Sequence, residues 1–275
     1  MKQPIHFIRY LTFLCCTFLL SVPSYSQSDL LIAKKQVITN GYNFWLYMPE
    51  NYQSSQESTP LIVFLHGASL CGNNLDRVLS YGTLDAIKRG IRIPAMVVAP
   101  QNPGGAWNPD KVNDILEWLD KNKYAYDHQR IYVIGMSLGG YGTLDFVGTY
   151  FHKVAASMAL CGGCSLKDLS GLGEVPLWII HGTADRAVSA KESQRIVNIL
   201  KAAKQDQRLR HDWILGASHG DLARYLYTPK TYEWLLSHTR SDAERRVEKN
   251  IKITSGDLQN TFRKIEKRPA LEIRR

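Results

Sequence analysis

The chain has 275 residues, 44% of them hydrophobic, 21% charged and 10% aromatic, with 20 Gly, 11 Pro and 5 Cys. This is a globular composition. It excludes collagen-like and disordered chains, and so few cysteines over this length cannot staple a disulfide framework. The formal net charge of +9 is concentrated at the ends, with Lys2 and Arg9 at the start and ten basic against six acidic residues from Ser241 to Arg275, so that residues 27–240 carry only about +3. No stripe of Lys and Arg interleaved with aromatics precedes the tail, and a nucleic acid is not an expected partner.

The first segment reads as a targeting signal. Lys2 and Arg9 precede an apolar run from Tyr10 to Val22, and Ser24 and Ser26 offer small residues at a cleavage point before Gln27. The run is 13 residues long, short of the roughly 20 that cross hydrocarbon. Residues 1–26 are therefore expected to be a signal peptide, and the mature chain to be exported, periplasmic or extracellular, with no stable membrane span. Leu14 is bulky where a lipoprotein signal at Cys15 would need a small residue.

Strand-like and helix-like segments then alternate, the pattern of a mostly parallel sheet covered by helices. Leu30 to Thr39 and Asn43 to Met48 flank Asn40-Gly41, a hairpin signal that predicts an antiparallel N-terminal edge. Leu61 to Leu65, Ala95 to Ala99, Ile131 to Ile134, Val154 to Leu160 and Leu177 to Ile180 are short, continuous apolar runs, as in strands buried on both faces. Helices are predicted where Val112, Ile115, Leu116 and Leu119 follow Asn108-Pro109-Asp110, and where Ile196, Ile199 and Leu200 follow Ser189. A last short strand is predicted over Trp213 to Leu215 and a last helix over Thr231 to His238. Together these make a catalytic-size α/β domain over 27–240. Residues 241–275 change to mixed charge and read as a basic C-terminal extension, with Val247, Ile251, Leu258, Phe262 and Ile265 as weak amphipathic positions for docking on the domain.

Beyond the leader the cysteines are Cys71, Cys161 and Cys164. In an oxidising compartment Cys161 and Cys164 could close a small loop, or either could pair with Cys71; three buried or free thiols is the other reading. A zinc site on Cys161-Gly162-Gly163-Cys164 is not expected, because no second ligand pair or spaced His cluster accompanies it.

Chemistry enters at Gly135-Met136-Ser137-Leu138-Gly139-Gly140, which follows the strand Ile131 to Ile134 and precedes a helix-like segment. This is Gly-x-Ser-x-Gly in the strand-turn-helix setting that exposes a serine oxygen on a tight turn. A serine hydroxyl is a poor nucleophile near neutral pH, so a base must take its proton and a carboxylate must orient that base. Asp185 stands just beyond Leu177 to Ile180 and His219 just beyond Trp213 to Leu215, in the order Ser, acid, His and at the strand ends where open α/β sheets bind ligands. His181 and His66 are rival bases, each directly before a Gly at a strand end and better suited to shaping its turn. Asp212 and Asp221 are rival acids beside the histidine loop. Backbone amides after the nucleophile (Leu138) and after Leu61 to Leu65 (Ala68, in His66-Gly67-Ala68) are the expected oxyanion donors. Trp107, in Gly104-Gly105-Ala106-Trp107, is a candidate substrate-stacking residue, with packing on the domain as the competing role.

At these residues the sequence resembles the single-domain α/β-hydrolases of the serine esterase and predicted-peptidase group: dienelactone-hydrolase-like proteins, bacterial feruloyl and acetylxylan esterases, and the catalytic domain of prolyl oligopeptidases. The resemblance runs from about Phe44 to Ser237 and rests on His66-Gly67-Ala68, Ala99-Pro100-Gln101 with Trp107, Gly135 to Gly142, His181-Gly182-Thr183-Ala184-Asp185 followed by Val188, and Ser218-His219-Gly220. Ser69 stands where the oxyanion loop often has a second Gly, and Ser189 where a Pro often follows the Val. The resemblance implies an α/β-hydrolase fold with helices on both faces of the sheet. It implies a serine hydrolase that needs no metal and no cofactor, acting through Ser137, Asp185 and His219 on a small-molecule or polysaccharide ester. A peptidase of the same chemistry and a non-catalytic binding protein on the same scaffold are the alternatives.

Overall fold

A computed structural model describes residues 30–52, 54, 58–263 and 271–275; the signal-peptide expectation and Ile265 lie outside them. Leu30–Lys34 (β1) pairs antiparallel with Asn43–Met48 (β2), which in turn runs antiparallel to Met96–Gln101 (β4). Leu61–Leu65 (β3), β4, Ile131–Met136 (β5), Ala156–Leu160 (β6), Leu177–Gly182 (β7) and Leu209–Ile214 (β8) are mutually parallel. With Glu272–Arg274 (β9) added parallel to β1, the described residues form a sheet of nine strands in the order β8-β7-β6-β5-β3-β4-β2-β1-β9. The antiparallel N-terminal edge and the parallel body follow the sequence pattern. The last parallel strand starts earlier than the apolar cue, at Leu209, and ends before Leu215, which is 91% exposed.

The unbroken apolar runs are explained by the pleat. Successive residues of β2 and β3 point to opposite faces, so Phe44, Leu46, Val63 and Leu65 enter one core while Trp45, Tyr47, Ile62 and Phe64 enter the other. Pro109–Lys121 (α2), Leu138–Tyr150 (α3) and Ala190–Ala202 (α4) cover the first face. Asn108 starts α2 by accepting the Asp110 and Lys111 amides at 2.8 and 3.3 Å, with Pro109 supplying a φ already suited to the first turn. In α4 the buried stripe is Ser193, Ile196, Val197 and Leu200, whereas Ile199 points outward; the buried set keeps the i, i+3, i+4, i+7 spacing that the expected trio broke.

Thr83–Lys88 (α1), the short His219–Leu222 (α5), Pro229–Leu236 (α6) and Ser255–Gln259 (α7) belong to the second face or its rim. The tail docks there. Val247 is buried in that core, and Ile251, Ile253, Leu258, Leu271 and Ile273 pack on it. Main-chain groups of Glu248 satisfy two buried rings, the carbonyl accepting Trp234 Nε1–H at 2.8 Å and the amide donating to His238 Nε2 at 3.0 Å. Phe262, by contrast, is 41% exposed and meets Tyr227 edge-on.

Candidate active site

β5 passes directly into α3 through Ser137, whose backbone sits at φ 59° and ψ −123°. A side-chain-bearing residue held there costs on the order of 1–3 kcal/mol, so the turn must be clamped from outside. The Ser137 amide donates to Leu160 O at 2.9 Å, Tyr141 N donates to Ser137 O at 3.0 Å, and Gly139 lies so close to β3 that a Cβ on it would stand 1.8 Å from Leu65 O. The serine is thus lifted to the carboxyl edge of the sheet. Leu138 is the first residue of α3, and first-turn amides have no partner inside their helix.

β3 leaves the sheet at the same edge through His66 and Gly67 into a short turn, Ala68–Leu70. A Cβ at Gly67 would be 3.4 Å from Ser137 Cβ, so the loop that carries Ala68 stands against Ser137. His66 is fully buried and shapes this loop: its Nδ1–H donates to Gly67 O at 2.8 Å and its Nε2 accepts the Asn102 amide at 3.0 Å. That accounting fixes a neutral tautomer, and burial pulls its pKa down to about 4.

Trp107 corrects an expectation. Its ring is buried, edge-on to His66 and Tyr42, and its Nε1–H donates to His66 O at 3.2 Å. A Cβ on Gly142 would sit 2.6 Å from the ring, so α3 leaves room for the indole to pack inside the domain, where it cannot stack on a ligand. Its role is to hold the His66 loop.

The acid and the histidine meet. Asp185 Oδ2 accepts His219 Nδ1–H at 2.7 Å, while Oδ1 accepts the amides of Ala187 and Val188, each at 2.9 Å. The Asp185 side chain is fully buried and that of His219 about a quarter exposed, the arrangement expected when one side of the ring faces substrate. Burial opposes the carboxylate charge, yet the Val188 amide, the His219 ring and the Ala187 amide together hold Asp185 below the usual carboxylate range. His181 is a turn-shaper, as expected: Nδ1 meets Ser193 Oγ at 2.8 Å, Nε2 meets Val188 O at 3.0 Å, and burial lowers its pKa. The rival acids are occupied elsewhere. Asp212 accepts Trp178 Nε1–H at 2.7 Å, and Asp221 caps α5 through Ser218.

Among the described residues Ser137 Oγ makes no hydrogen bond to His219. Such bonds are often long before substrate binds. What joins the two loops is Cys161, the first residue past β6, at φ 39° and fully buried. One donor atom from each of Cys161, Asp185 and His219 lies within 4.8 Å of the others. Sequence reasoning assigned no role to Cys161 here; strand-end position after β6 was the one available signal. All three described cysteines are free, Cys164 instead donating its thiol to Asp145 Oδ1 at 3.2 Å.

A mostly parallel sheet with an antiparallel edge, helices on both faces and a serine elbow between β5 and α3 is the α/β-hydrolase fold. No family model matches the sequence. Esterases are prominent among the proteins it resembles, and a putative dipeptidyl aminopeptidase IV of Bacteroides ovatus also superposes, with a TM-score of 0.57 at 14% identity over 77% of this chain and 36% of that one. The chain is 27% identical over 161 residues to a bifunctional acetylxylan esterase/xylanase of Neocallimastix patriciarum, a match covering 55% of this chain and 22% of that protein. The crystal structure of a thermostable esterase superposes with a TM-score of 0.62 at 23% identity, over 78% of this chain and 64% of that one. The feruloyl esterase module of Clostridium thermocellum, complexed with sinapinate, gives 0.58 at 17% identity over 75% and 88%. Among the described residues no helix is long and apolar enough to cross a membrane.

Proposed function

We propose that this chain is an exported serine esterase that forms an acyl-enzyme. The observation that carries the proposal is the 2.7 Å bond between buried Asp185 and partly open His219, at the same sheet edge as the strained Ser137 turn. With Nδ1 committed to Asp185, His219 offers Nε2 as the base. Ser137 Oγ attacks the ester carbonyl as Nε2 takes its proton; the oxygen gains negative charge and is received by the amides of Leu138 and Ala68. Collapse expels the alcohol with the proton from Nε2. Water, deprotonated by the same nitrogen, then releases the acid and regenerates Ser137. Asp185 keeps the ring in the right tautomer and stabilises the imidazolium formed in each half-reaction.

The names of the resembling proteins favour acetyl or feruloyl groups on polysaccharides as the acyl class, and the apolar run at residues 10–22 supports export. The test is a hydrolysis panel of short-chain nitrophenyl esters, acetylated xylan, methyl ferulate and a prolyl peptide, run beside fluorophosphonate labelling. Ester turnover with labelling of wild type but not of Ser137→Ala is the expected result. Turnover of the peptide alone would make the protein a peptidase, and folded protein that neither labels nor hydrolyses would make it a binder.

A further inference from the structure

We propose that Cys161, Asp185 and His219 form a site for zinc, or for the softer cadmium, whose occupation shuts the active site down. The three side chains come from the ends of β6, β7 and β8, and one donor atom of each lies within 4.8 Å of the others. Thiolate, imidazole and carboxylate are the ligand types zinc selects, whereas magnesium and calcium take oxygen sets. Zinc bonds of about 2.0–2.3 Å place tetrahedral ligands roughly 3.3–3.8 Å apart, so the existing cluster closes around an ion with movements on the order of 1 Å. Entry is from the His219 side, since the Cys161 and Asp185 side chains are buried and His219 is partly open. A solvent molecule fills the remaining position.

The cost of filling the site is a proton. Zinc takes the Cys161 sulfur as thiolate, so coordination releases the thiol proton to solvent, and the 2.7 Å hydrogen bond between Asp185 and His219 opens to admit the ion. The metal ties down His219, which can then no longer take the Ser137 proton. That inhibitory consequence rests on the proposed esterase mechanism; binding itself does not. The site is distinct from Cys161-Gly162-Gly163-Cys164, because Cys164 faces Asp145.

The test uses chelator-treated full chain. Cadmium is titrated while the ultraviolet thiolate-to-metal charge-transfer band is followed, zinc is used as competitor, and a nitrophenyl ester assay is run in parallel. A single saturable equivalent is expected, with the band lost in Cys161→Ser and kept in Cys71→Ser and Cys164→Ser. His219→Ala, which leaves the thiol in place, should weaken cadmium binding at least about tenfold. Zinc should suppress wild-type ester turnover reversibly to chelator, and Cys161→Ser, at whatever basal rate it has, should keep that rate in zinc. A band that is absent in wild type, or that survives Cys161→Ser, overturns the proposal, as does cadmium affinity unaffected by His219→Ala. Should Cys161→Ser not fold, the wild-type band and the His219→Ala titration decide. If wild type hydrolyses no ester, the band still judges the metal site while the functional reading fails separately.

Discussion

The two ends of the domain are held by opposite means. At the carboxyl edge the chain is clamped chiefly by backbone against backbone: Ser137 N on Leu160 O, Tyr141 N on Ser137 O, Gly139 against Leu65 O. Along the second face the tail is held by side chains reaching main-chain groups, Trp234 to Glu248 O, Arg210 to Ile251 O at 2.8 Å, Arg245 to Val154 O and Ala155 O. Backbone contacts leave almost no tolerance to substitution but make each residue's role local. Side-chain contacts are distributed, and each can be removed at modest cost. A strained turn such as that of Ser137 needs the first kind of support, because any slack would let it relax.

The sharpest break of that contrast is in the acid. Asp185→Asn preserves shape and burial but leaves His219 Nδ1 facing an amide that can present N–H, favouring the wrong tautomer. Ester turnover should fall by roughly 10³–10⁴ in kcat with little change in Tm. Gly139→Ala is next: a methyl 1.8 Å from Leu65 O forces β3 away from α3. A loss of several kcal/mol is expected, on the order of the largest single-residue effects, read as a lowered urea midpoint or as failure to accumulate folded protein. A Gly139→Ala protein with wild-type stability would mean the elbow is looser than described.

The same division governs what could be read from sequence. The strand-end positions of Ser137, Asp185 and His219 were legible because each follows a strand, and β3 to β7 because both of their faces are buried and their runs are unbroken. The part of β8 before Trp213 was not, since Leu209 is buried but Arg210 to Ile214 are only half-buried and carry no apolar run. Trp107 shows the limit of composition: a Trp in a Gly-rich loop looks exposed until Gly142, distant in sequence, is seen to make room for it. Cys161 was invisible as a neighbour of His219 because their proximity exists only after β6, β7 and β8 align.

Acid separates the two regions further. His66 is neutral in the fold with a pKa near 4, against an unfolded value of 6.5. Protons then bind the unfolded chain more strongly, so the contribution of His66 is fully present above about pH 6.5 and is lost as pH falls toward 4. The depression corresponds to about 3 kcal/mol. Urea unfolding as a function of pH should show this loss, and His66→Gln, which cannot titrate, should flatten that part of the curve. An unchanged slope would place the acid sensitivity in His181 or His238, which burial also lowers.

The smallest effect is expected at the tail. Arg245 is partly buried, its pKa is lowered to about 10 chiefly by desolvation, and among the described residues its Nε has no hydrogen-bond partner. Its guanidinium nonetheless donates to the carbonyls that enter β6, Val154 O and Ala155 O at 3.1 Å for the latter. Arg245→Met keeps the stem and drops the charge, trading the desolvation of a cation against two carbonyls left with fewer donors. Removing one partner of a buried bond costs about 1–3 kcal/mol, and relief of the desolvated charge brings the net toward the low end, about 1 kcal/mol. The urea midpoint should drop slightly while kcat on a nitrophenyl ester is unchanged, since Arg245 meets β6 at its entry and the candidate site lies at its exit. A fall in kcat with unchanged stability would show that Arg245 acts through β6 on Cys161 and the loops it joins, and the two regions would then be one.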